Sequence, residues 1–118
     1  MSASAHEGHI YVVGYDTGTI KVGYTANPTQ RIRVLELAAR QLGCSVDRTW
    51  VSSPHVNAHE NEQHLLEFCS SSGSRVTGGR TGEFFNDLDF EAVVQHAERL
   101  PMEREQAPAC AQQILRGV

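Results

Sequence analysis

Long apolar runs, a cysteine framework and a surplus of positive charge are all missing from these 118 residues. No apolar stretch approaches the roughly 20 residues that cross a bilayer, and no basic segment leads into an apolar one near the N-terminus, so neither a membrane anchor nor export is expected. Three cysteines, Cys44, Cys69 and Cys110, are odd in number and widely spread, which fits a reduced, cytoplasmic protein better than a disulfide scaffold, although spacing alone leaves one internal pair open. No Cys-x-x-Cys pair accompanies His55, His59 and His64, and His59 and His64 point in different directions on a helix, so zinc is not expected. Neither a phosphate loop nor a dinucleotide fingerprint occurs.

Lysine and arginine total 10 against 14 acidic residues, a formal net charge of −4. Tight, non-specific nucleic-acid binders neutralise phosphates with clustered basic side chains, so that class is disfavoured. The charge is unevenly placed, however. Residues 1–82 carry seven acids and seven bases, and residues 83–118 carry seven acids and three bases. The excess therefore belongs wholly to the C-terminal third. At 40% apolar and 20% charged residues, the composition is that of a globular protein with one core.

The residues present punctuate the chain clearly. HIYVVGY (9–15) and TIKVGY (19–24), separated by Asp16-Thr17-Gly18, read as a β-hairpin. Asn27-Pro28 opens a first helix to about Leu42, with Ile32, Leu35, Ala39 and Leu42 as its apolar face and Gly43 as its stop. RTWVS (48–52) reads as a third strand. A second helix spans about Ala58 to Ser70, and a third follows Asp87 or Asp89 with Phe90, Val93, Val94 and Ala97 on one face and Pro101 as terminator. The glycine-rich segment 70–82, with Arg75 and Arg80, reads as a loop. The expected fold is α+β: a small antiparallel sheet of about three strands, the N-terminal hairpin plus one, flanked by three helices. The domain is expected over residues 1–101, with its core at about 8–97. Residues 102–118 form a weakly patterned tail compatible with a short helix after Pro108.

One side chain is out of place. The second helix carries its apolar residues Ala58, Leu65, Leu66 and Cys69 at helical spacing around Glu62, which sets a carboxylate on the core-facing stripe. A buried carboxylate costs several kcal/mol unless it is paired or bound to a cation. Two readings are open: a glutamate paired with an arginine at the edge of the core, or a carboxylate at the bottom of a cleft. Arg31, in the first turn of the first helix, is the natural partner, and its planar fork also suits a phosphate.

His9-Ile10-Tyr11, Lys21-Val22-Gly23, Arg31 and Glu62, in this order, resemble the GIY-YIG nuclease superfamily. The likeness is greatest to its phage- and prophage-associated branch, in which the second signature reads Lys-Ile-Gly. Asn27-Pro28, Glu62-x-x-Leu65-Leu66 and Gly82-Glu83-Phe84-Phe85 support the resemblance, as does the ten-residue step from Lys21 to Arg31. The resemblance implies a metal-dependent endonuclease that hydrolyses DNA phosphodiester bonds with magnesium or manganese. It implies that Tyr11 touches the attacking water or the scissile phosphate, that Gly23 lets the backbone approach the site, that Arg31 stabilises charge on the phosphate and that Glu62 holds the metal. Lys21 stands where the second signature has a tyrosine and completes the candidate catalytic set with Tyr11, Gly23, Arg31 and Glu62, and His9 stands where the first has a glycine. Tyr24 then either supplies the missing hydroxyl or packs, and the general base is open between Tyr11, His9 and a metal-bound hydroxide. His9, Tyr24, Arg75 and Arg80 are the candidate substrate contacts. The alternative is a catalytically weak or inactive domain that binds nucleic acid or protein. DNA is the expected partner, with a protein partner or a homodimer supplying the affinity that the charge withholds.

Overall fold

A computed structural model of the chain describes residues 7–76 and 83–104. Arg80, a candidate substrate contact, and the expected short helix after Pro108 lie outside the described residues. The element order is β1 (His9–Tyr15), β2 (Ile20–Thr25), α1 (Pro28–Gln41), β3 (Val46–Val51), α2 (Ala58–Ser72), β4 (Ser74–Arg75), β5 (Phe84–Asn86) and α3 (Phe90–Glu98). The strands form one antiparallel sheet in the order β3-β1-β2-β5-β4. The α+β class and the three helices agree with expectation, but the sheet has five strands instead of about three. The two additional strands are two and three residues long, too short to show an alternating pattern, and β4 falls within the segment read as a loop.

Alternation along β1 and β2 divides the sheet into two faces. Ile10, Val12, Ile20, Val22 and Phe85 point one way, where Ala58, Leu65 and Cys69 of α2 and Val93, Val94 and Ala97 of α3 close over them as a single core. Burying side chains such as Leu65 or Val93 contributes about 1.5–3 kcal/mol each. The register pairs Tyr11 with Gly23 and Val13 with Lys21 on the opposite face. There Tyr15 and Phe84 border an apolar cavity of about 200 Å³ with Leu35, Ala39 and Leu42 of α1. Of the expected apolar face of α1, Ala39 is buried, Ile32 and Leu35 are half-buried, and Leu42 is 82% exposed.

Two local features shape the region around Arg31. Asn27 caps α1 by accepting a hydrogen bond from the Gln30 amide at 3.1 Å, with Pro28 at the first helical position, and this sets Arg31 in the first turn. β5 pairs with β2 only at Ile20 and Lys21, so Gly23 to Thr25 have no strand partner on that side among the described residues. Beyond α3, the Glu103 carbonyl accepts from the Val56 amide at 2.6 Å, and the Glu103 amide donates to Asn57 Oδ1 at 2.8 Å. The first residues of the expected tail are thereby tied to the start of α2. No described helix is long and apolar enough to cross a membrane.

Candidate active site

Where the pairing of β2 with β5 ends, a cavity of about 360 Å³ opens, lined by Tyr11, Gly23, Tyr24, Arg31, Glu62 and Glu83 together with Thr25 and Ala26. Four of the five residues expected to act in catalysis thus meet at one place, although they come from β1, β2, α1 and α2. The fifth, Lys21, is turned to a different partner.

Tyr11 is fully buried and lies directly across the strand pair from Gly23. A Cβ on Gly23 would stand 2.4 Å from the Tyr11 hydroxyl and 2.5 Å from its Cζ. The missing side chain therefore makes room for the phenol, which is a more specific requirement than a close approach of the backbone. The φ of Gly23 is not positive, so the demand is for space and not for a left-handed turn. Arg31 Nη1 donates to the Tyr11 hydroxyl at 3.4 Å. Arg31 is otherwise exposed, with its guanidinium free to meet an anion entering the cavity.

Glu62 is 3% exposed, so the carboxylate on the apolar stripe is indeed buried. Its one hydrogen-bond donor among the described residues is Gln63 Nε2, at 3.1 Å. Burial pushes the Glu62 carboxyl above the usual range and the charge of Glu83 pushes it further, while the Gln63 hydrogen bond, His59 and Lys21 pull it back. A buried acid with one donor and a like charge nearby would be relieved by a cation. Among the described residues no group of three or more His, Cys, Asp or Glu side chains is placed to hold a metal. A divalent ion here would therefore draw on Glu62 and complete its shell with water and phosphate oxygens, which is how magnesium is commonly held.

Glu83 enters the sequence pattern only as one letter of a string. It accepts a hydrogen bond from Lys21 Nζ at 2.7 Å, in a pair whose lysine side chain is 7% exposed and whose glutamate is 25% exposed. Lys21 Nζ also lies 4.6 Å from the centroid of the Phe84 ring. In this arrangement Lys21 is not among the residues lining the cavity, and its charge is spent on Glu83. No sequence signal announces the pair, because it depends on β5 meeting β2.

The candidate substrate contacts separate. Tyr24 stands at the rim of the cavity, 43% exposed. His9 lies away from it, with Nδ1 donating to the Ser52 carbonyl at 2.8 Å. Arg75 lines an adjoining cavity with Gln63 and Glu83, donates to Ser70 Oγ at 3.0 Å and stands over the Phe85 ring.

Comparison with known proteins adds one match. A family model described as the T5orf172 domain covers residues 8–105, nearly all of the described chain. No curated protein and no solved structure matches.

Proposed function

The chain belongs to the T5orf172 domain family, phage-associated and related to the GIY-YIG nuclease-like fold, and from that premise we propose that it is a metal-dependent DNA endonuclease. The observation that carries this reading is the convergence of Tyr11, Arg31 and Glu62, three chemically matched groups from separate elements, on one cavity.

Each residue has a definable task. Arg31 meets a non-bridging oxygen of the phosphate and balances the charge that builds there as water attacks. Tyr11 receives the Arg31 hydrogen bond on its oxygen, which leaves its own proton to orient the attacking water in the cavity. Gly23 keeps the space that this phenol occupies. Glu62 is the carboxylate that would hold magnesium or manganese. When bound, such an ion would polarise the phosphate and stabilise the leaving oxygen. The cavity contributes one cation and two carboxylates, so the ion would also supply the positive charge that the chain itself does not. Affinity for DNA then rests on the ion and on a protein partner or second copy more than on basic side chains.

The test is nicking of supercoiled plasmid by the purified protein with magnesium or manganese, beside EDTA, Arg31→Ala and Glu62→Ala. Nicking lost in all three arms supports the enzyme. One observation favours the second reading, an inactive domain that binds nucleic acid or protein: Lys21, standing in place of the signature tyrosine, is engaged by Glu83. DNA bound without nicking in either metal would select it.

A further inference from the structure

Tyr24 has a neighbour that the catalytic reading does not use. Its ring lies against the imidazole of His59, the second residue of α2, with centroids 4.8 Å apart and planes inclined by 29°. One face of the phenol is thus covered, and the residue as a whole is 43% exposed. Tyr24 borders two cavities at once. One is the cavity of Tyr11, Arg31 and Glu62; the other, about 330 Å³, is lined by Gly8, Ala26, Val56, Ala58 and His59 along with Glu7. The second wall is mostly small and apolar, and Val56 is itself 41% exposed. Such a surface offers a nucleobase a flat aromatic face and little to read its hydrogen-bonding edge.

A base inside a duplex has both faces covered by its neighbours and cannot stack on a protein ring without leaving the helix. Aromatic platforms accordingly serve single strands, and they tolerate any base because every base has a π face. A base is joined to its phosphate through one sugar, so a platform on the rim of the phosphate site is placed to take the base beside the bond being cut. We propose that Tyr24, braced by His59, is a stacking platform for an unpaired base next to the scissile phosphate. The preferred substrate is then single-stranded DNA, or the single-stranded branch of a flap or overhang, cut with little regard for sequence. This inference deepens the nuclease reading and rests on it for the word scissile.

Its test is fluorescence of 2-aminopurine in a single-stranded oligonucleotide, titrated in calcium, a hard cation in place of magnesium or manganese, with the full chain, Tyr24→Phe, Tyr24→Ala and His59→Ala. Both side chains are exposed, and melting curves check that each variant is folded. The parent and Tyr24→Phe are expected to quench the probe on binding. Tyr24→Ala should lose the quench and bind about tenfold more weakly, with His59→Ala between them. A blunt duplex of the same sequence should bind more weakly than the single strand, and without dependence on Tyr24. Equal affinity and equal quenching for the parent and Tyr24→Ala would overturn the platform. If plasmid nicking stayed dependent on Arg31 in that case, the nuclease reading would survive alone. Tyr24-dependent quenching by a protein that never nicks would leave the platform standing and remove the catalysis.

Discussion

Replacing Gly23 by alanine puts the geometry of the site to a sharp test. The added Cβ would stand 2.4 Å from Tyr11 Oη, 2.5 Å from Cζ and 2.9 Å from Cε2. Carbon atoms settle at about 3.5–4.0 Å, so the ring must retreat by about 1 Å. Tyr11 is fully buried, and overpacking a closed interior costs about 1–3 kcal/mol. Alanine returns about 0.4–1 kcal/mol by restricting the unfolded chain, so the net loss should be about 1–2 kcal/mol. At about 4–8 °C per kcal/mol for a domain of this size, a clear fall in Tm is expected. The larger effect falls on function. The hydroxyl that meets Arg31 moves with the ring, and a 1 Å misplacement at a reacting centre costs about a hundredfold in rate. Urea unfolding and plasmid nicking, on Gly23→Ala, Tyr11→Ala and the double variant, measure both. Without the ring the methyl group has nothing to meet, so the loss due to Gly23→Ala should nearly vanish beside Tyr11→Ala, a coupling of about 1–2 kcal/mol. A Gly23→Ala protein with parental stability and rate would refute this account of the glycine, and so would full additivity in the double variant.

The buried charges carry two further expectations. Glu83→Gln strips the partner from a lysine that is 7% exposed and should destabilise the protein by about 1–3 kcal/mol, less than for a wholly buried pair because Glu83 is a quarter exposed. Lys21→Met together with Glu83→Gln should recover part of that loss in thermal melts, and strict additivity would count against the pairing. The folded state raises the Glu62 carboxyl above its ordinary value of 4.5. The stability associated with its protonated form is therefore complete below that value and is lost as pH rises through the raised one. In EDTA, Glu62→Gln should gain stability relative to the parent as pH rises above the ordinary value of 4.5, and urea midpoints that stay parallel there would contradict the burial argument.

The hairpin is legible in the sequence because β-branched and aromatic runs flank a turn, and the observed strands begin and end within one residue of those runs. The anomaly at Glu62 is legible because a helix with one apolar stripe shows clearly when a carboxylate interrupts it. The apolar face of α1 is legible in large part: Ala39 is buried and Ile32 and Leu35 are half-buried, while Val34 and Leu37, outside that stripe, are exposed. Leu42 fails because it stands past the last helical residue, where periodicity no longer fixes its direction, and it is exposed. Glu83 and the stacking of His59 on Tyr24 are tertiary facts, set by where β5 meets β2 and where α2 packs against β2. The physical reason for Gly23 is hidden for the same cause: the ring it accommodates belongs to the neighbouring strand.

The central claim is that Arg31 and Glu62 act on one phosphodiester through this cavity. The most direct measurement is the rate of conversion of supercoiled plasmid under excess protein in magnesium or manganese, for the parent, Arg31→Ala and Glu62→Ala, with the melting temperature of each recorded. The account predicts nicking by the parent, none in EDTA, and at least a hundredfold loss in both variants while they remain folded, on the order of what transition-state charge stabilisation contributes. Folded variants that nick at the parental rate would contradict it.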